Sequence, residues 1–245
     1  MNNTNPTLYN VLCWGMLDYI GNTVLQPEFS KKLDLLSVCT IQMMSSDEDS
    51  SHVFLNLTSS RANDRIIEIG LQDLGGGENS TFQTLVNPER IVPNPHVHGI
   101  TTYMVEGFDS NLAAVRRKPP ETWGLILWVA HNGRSFDVPF LINEFSRCNT
   151  EVPPNWRFLD TLPLARELIK SAGSDLPPGA SLQALREYYR IPLVGPAHRV
   201  LSDVYTLSQV LQMLTFNLKV SVANLLDRSF TASDIINPKK KKNSN

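Results

Sequence analysis

The sequence predicts an α/β domain, a mixed central sheet flanked by helices, on three observations. Arg65–Leu74 alternates, with Ile67, Ile69 and Leu71 on one side, and Thr81–Val86 follows as a second short strand, so the two read as a hairpin. Beyond residue 125 the pattern becomes strand then helix, repeated. A late segment places Val200, Leu201, Val204, Leu207, Val210, Leu211 and Leu214 at helical spacing, which makes a long amphipathic helix.

Taken in order, residues 1–51 hold no sustained helical or strand period and end in the acidic, serine-rich Ser45–Ser51, so they are expected to form an extension ahead of the domain. The domain itself is expected over residues 52–235. Gly75-Gly76-Gly77 permits the hairpin turn, and Pro88, Pro93 and Pro95 mark a loop that ends near Gly99. Leu125–Ala130 is a short apolar run of strand length, and Ser135–Phe145 reads as a helix with Phe136, Phe140, Leu141 and Phe145 on a common side. Trp156–Leu159 is a strand, Thr161–Ser171 a helix, and Ser181 the N-cap of a helix that runs to Tyr189 before Pro192 stops it. Residues 236–245 are expected to form a basic disordered tail.

Charge and composition narrow the partners. Apolar residues make up 42% of the 245 and charged residues 19%, a globular balance. The 22 basic residues include Lys239–Lys242; 22 less these four leaves 18 against 24 acids, a body at −6. Such a body does not hold a polyanion by charge alone and needs a local basic patch or bound cations. No apolar run is long enough to span a membrane. Cys13, Cys39 and Cys148 are too scattered for a disulfide framework or a paired-cysteine zinc site, so a reducing compartment is expected. No basic residue precedes Lys31, which reads as neither a secretory signal nor an Arg-rich transit peptide.

Phosphate-loop, nucleophile-elbow and H-E-x-x-H signatures are missing from the sequence. His96 and His98 stand two apart in the proline-rich loop, where a surface role outweighs metal ligation. Two constellations carry more. Asn132-Gly-Arg-Ser-Phe136-Asp137 follows the strand 125–130 directly, and the C-terminal edge of a buried strand is where open α/β folds place ligands. Asp137 there is either a ligand or a first-turn acid that favours the helix dipole. His198-Arg199-Val-Leu-Ser-Asp203 opens the late helix, with Asp203 three after Val200 and four before Leu207, hence on the apolar stripe. An ionised carboxylate there needs a partner: an arginine such as Arg186 or Arg190, or a cation shared with Asp137. His198 has a side chain suited to base work near neutral pH.

N-x-x-x-F-D after a strand and H-x-x-x-x-D opening a late helix resemble the second and third motifs of the DEDDh 3′→5′ exonucleases. The resemblance runs through DRIIEIGLQDL, GGENSTFQTLVNP, VAHN, FLINEF, FLDTLPLARE and SLQALREYY, and is closest to the plant organelle subgroup. It implies a ribonuclease-H-like exonuclease fold and two-metal hydrolysis of terminal DNA phosphodiesters, with Mg²⁺ (or Mn²⁺) as cofactor and RNA as the alternative polymer. It also implies metal-binding carboxylates at Asp137 and Asp203, a general base at His198, and strand contacts from Asn132, Arg134, Phe136 and Arg199. The subgroup suggests a plastid or mitochondrial setting, with the nucleus or cytoplasm as the alternative.

The first motif departs from the family. A strand ending D-x-E is expected shortly before Arg65-Ile66-Ile67-Glu68-Ile69, yet Val53–Ser60 offers no acid, and Leu55 and Leu57 fall where the carboxylates belong. Asp47, Glu48 and Asp49 precede that stretch. The expectation is a site lacking its first-motif carboxylates, and the alternative function is a non-catalytic nucleic-acid-binding or interaction module on the same fold.

Overall fold

The alternation of Ile66–Leu71 and the apolar run Leu125–Ala130 each become a strand buried by helices. A computed structural model describes residues 33–44, 65–74, 80–110, 125–171, 177–195 and 199–238. Five strands, β1 (Leu33–Met44), β2 (Arg65–Asp73), β3 (Thr81–Leu85), β4 (Leu125–Ala130) and β5 (Trp156–Asp160), form one sheet in the order β3-β2-β1-β4-β5. The β2–β3 and β1–β2 pairs are antiparallel, while β1–β4 and β4–β5 are parallel, so the sheet is mixed as expected.

The described helices are α1 (Pro95–His98), α2 (Thr102–Val105), α3 (Asp137–Arg147), α4 (Thr161–Ser171), α5 (Leu182–Tyr188), α6 (Val200–Leu218), α7 (Val222–Asp227) and α8 (Ala232–Ile236). Period-two alternation divides the strands between two helical layers. Leu127, Val129 and Leu159 point to one side, where Leu164, Leu185, Val204, Leu207 and Leu211 close the main core. Phe158 and Trp128 point to the other, against Val138 of α3, Phe230 and Ile235 of α8. Phe140 and Phe145 of α3 extend that layer over Ile66, Ile69 and Leu71. Ser181 caps α5 by accepting from the Ala184 N–H.

Two expectations are corrected. The strand between β2 and β4 is Leu33–Met44, inside the segment assigned to an extension, so the domain does not begin at residue 52. Its sequence mixes Leu33, Leu35, Leu36, Val38 and Ile41 with Asp34, Ser37, Thr40 and Gln42, so no single-sided alternation marks it as a strand. The proline-rich loop holds the two one-turn helices α1 and α2, the first with Pro95 at its start, where a missing N–H costs nothing. Gly75–Gly77, Val53–Ser60 and Lys239–Lys242 lie outside the described residues. No helix among the described residues is long and apolar enough to cross a membrane.

Candidate active site

The register of the sheet decides which loops meet. Val38 of β1 pairs with Val129 on one edge and Gln72 on the other, and Thr40, two residues further on, pairs with Gly70. Gly70 is therefore level with the point where β4 has already passed into the 131–136 loop. At that level a Cβ on Gly70 would stand 2.7 Å from Cγ2 of Val200, so only glycine lets the start of α6 rest on the sheet here. The loop that leads to Asp137 and the helix that carries Asp203 thus begin at the same end of the sheet. Asp137 opens α3 and Asp203 lies in the first turn of α6.

The 131–136 loop is built rather than merely connected. Asn132 takes a left-handed conformation (φ 61°), which asparagine tolerates, and its carbonyl accepts from the Ser135 and Phe136 N–H groups. A Cβ on Gly133 would come within 2.6 Å of the Ala130 Cβ. Asp160, at the end of β5, accepts from the N–H of Asn132 (2.8 Å), of Arg134 (3.1 Å) and of Leu162 (2.9 Å). One carboxylate so ties the loop after β4 to the start of α4. His131 bridges Thr161 Oγ1 and the Ala180 carbonyl, both at 2.9 Å, and burial lowers its pKa below 6.5. Glu144, almost fully buried, bonds Arg65 at 3.0 Å and fixes α3 against β2.

A second anchor fixes the other element. Glu68 of β2 is completely buried and receives the Arg199 guanidinium through Nε (3.1 Å to each oxygen) and through a terminal nitrogen (2.6 Å). It also accepts from Gln83 Nε2 (2.6 Å) and from the Val200 N–H (3.4 Å), which makes it the cap of α6 supplied from the sheet. The Glu68 hydrogen bond, the largest influence, raises the Arg199 pKa above its usual value. Arg199 also lines a cleft of about 430 Å³ on the flank of α6, with Gln72, Gln83 and Tyr205; none of residues 131–137 lines it.

Several expected site residues change character. Arg199 is engaged by Glu68 and is a structural anchor rather than a free strand contact, because a fully buried carboxylate demands a cation. Phe136 packs at the edge of the Ile69–Phe140–Phe145 cluster, so its ring serves the core. Asp203 is half-buried, beside the stripe of Val200, Val204 and Leu207 and not within it. Arg186, weighed as its partner, engages Glu187 and the Ile191 carbonyl. His98 is buried, not a surface group: its Nδ1 accepts from the Ile100 N–H (3.1 Å) and its Nε2 meets the Pro93 carbonyl. Arg134 remains exposed. His198, Leu55, Leu57 and Asp47–Asp49 lie outside the described residues. The sequence reading missed Asp160 and Glu68, whose signal was an acid placed at the end of, or inside, a strand.

The donor set was tested against a divalent cation. Asp137 and Asp203 carry carboxylate oxygens, the hard donors such an ion takes, on helices that begin at one sheet end. Among the described residues, however, no three His, Cys, Asp or Glu side chains are grouped to hold a metal. In β1 the sole acid is Asp34, at the end level with Leu125 and Ile126, away from Asp137. The described residues do not make up a two-cation site.

Comparison with known proteins agrees with this architecture. The exonuclease family model RNase_T matches residues 17–211, a span that includes β1. The chain is 46% identical over 223 residues to Exonuclease DPD1, chloroplastic/mitochondrial, of Arabidopsis thaliana, covering 86% of this chain and 67% of that protein. Among solved structures, the nuclease domain of 3′hExo, a DEDDh family member bound to rAMP, superposes with TM-score 0.54 at 14% identity, over 81% of this chain and 96% of that one. An E. coli ExoI–ssDNA complex in its zinc-bound form superposes with TM-score 0.58 at 17% identity, over 79% and 42%. The fold is thus that of the ribonuclease-H-like exonucleases, a family that uses divalent metal ions. With the family model matching most of its length, this chain belongs to the exonuclease family.

Proposed function

We propose that the chain is a 3′→5′ exonuclease-type domain for DNA whose turnover is limited by its own first strand. The register that brings the Asp137 loop and the Asp203 helix to one end of the sheet carries this reading. In it Asp137 and Asp203 would hold Mg²⁺ or Mn²⁺, and His198, one residue before Arg199 in the sequence, would serve as the base for the attacking water. The cation, when bound, stabilises charge on the phosphodiester oxygens. The protein's own part is to hold the two carboxylates at fixed positions, through Asp160 and Glu144 on one side and Glu68 on the other. The name of the 46%-identical relative supports placing the chain in a plastid or mitochondrion.

The second reading, binding without turnover, is favoured by the lack of an acid in β1 beyond Asp34. One assay separates the two. A 3′-labelled DNA oligonucleotide is incubated with this chain and with a version whose first strand carries D-x-E, each with Mg²⁺ and with EDTA. Loss of the carboxylates that hold a second cation should slow this chain at least ~10³-fold. Equal, metal-dependent rates would show that first-motif carboxylates are supplied from elsewhere in the chain, and preferential cleavage of an RNA probe would reassign the polymer.

A further inference from the structure

We propose that Arg134, seated over the ring of Phe230, is a stacking platform for an unpaired nucleobase of the bound strand. The inference rests on the nucleic-acid reading above and adds the chemistry of one contact. Arg134 stands three residues before Asp137 in the same loop, and its guanidinium carbon lies 4.6 Å from the Phe230 ring centroid. Phe230 is a fixed support. It is 5% exposed, pairs with Phe158 through two backbone hydrogen bonds of 2.7 and 2.8 Å, and packs on that ring at 5.9 Å. The backbone of Arg134 is fixed as well, its N–H bonded to Asp160.

A guanidinium is planar and weakly hydrated and stacks on π faces. Phe230 supports this one from one side, while the residue as a whole is exposed and so within reach of a ligand. No ion pair of Arg134 occurs among the described residues. The Asp234 carboxyl is held low chiefly by the Thr231 N–H and hydroxyl, and further by Arg134 and Arg157, so the Arg134 charge already has a nearby anion to act on and a neutral base suits it better than a second anion. Apart from its lysine tail the chain is acidic, so a contact that needs no net charge, base stacking, suits it.

The test uses single-stranded DNA oligonucleotides with 2-aminopurine placed at successive positions from the 3′ end, in EDTA to suppress turnover. For one position the fluorescence of the bound probe should rise on the unaltered chain, because the base leaves the neighbouring bases that quench it for a guanidinium that does not. Arg134→Ala and Arg134→Lys should both lose that rise and weaken binding about tenfold. An abasic site at that position should weaken the unaltered chain by a similar factor and leave Arg134→Ala unaffected. Because the side chain is exposed, both variants should melt with the unaltered protein. Full affinity of Arg134→Lys would show a phosphate contact and overturn the platform. Unchanged binding by Arg134→Ala would overturn any role in the site. Failure of the unaltered chain to bind any oligonucleotide would overturn the nucleic-acid reading itself, a result distinct from the other two.

Discussion

Replacing Glu68 by glutamine should be among the more damaging single changes available in this chain. The carboxylate is fully buried and satisfies a guanidinium, a side-chain amide and a helix N-terminal N–H together. Glutamine keeps the shape but removes the charge, and its own N–H₂ group must face the Arg199 donors. Breaking a buried ion pair by removing one partner costs about 3–5 kcal/mol. The Arg199 side chain is 27% exposed, so water reaches the stranded cation and the low end, about 3 kcal/mol, is the better figure. For a chain of this size that corresponds to a fall of about 6–12 °C in Tm, read by circular dichroism, with a matching shift of the urea midpoint. The double variant Glu68→Leu with Arg199→Leu should recover most of the loss, since apolar replacement of a whole buried pair is often neutral. A Glu68→Gln protein melting within ~2 °C of the unaltered chain would refute the claim that this pair anchors α6 to the sheet.

Two further outcomes are expected. Gly70→Ala should destabilise by about 1–3 kcal/mol through overpacking against Val200, and Val200→Ala in the same chain should relieve it; a neutral Gly70→Ala in thermal melts would contradict the close approach of α6. Burial lowers the pKa of both His98 and His131 below 6.5, so the unfolded chain binds more protons between the folded and unfolded values. Their contribution to stability should be complete above about pH 6.5 and lost as the pH falls from there through the folded values. Melts across pH 5–8 should show that slope, and His131→Gln should flatten it; an unchanged slope would assign the titration elsewhere.

The sequence by itself determined the sheet-forming hairpin, the strand Leu125–Ala130, the helices after it and the two motifs around Asp137 and Asp203. Each of these carries a local signal: period-two alternation, a short apolar run, an N-cap serine or a helical stripe. Membership of the exonuclease family was legible for the same reason, since its second and third motifs are contiguous in the chain. Tertiary structure decided what local signals cannot encode. Leu33–Met44 is central because it pairs with β2 on one edge and β4 on the other, and its own mixed polar and apolar sequence carries no period that announces this. Arg199 became an anchor because Glu68, 131 residues away in sequence, is buried beneath it. Asp160 became the clamp of the Asp137 loop only once β4 and β5 lay side by side. A carboxylate in a sequence has a charge but no partner; the pairing register supplies the partner, and with it the difference between a ligand, a cap and a tether.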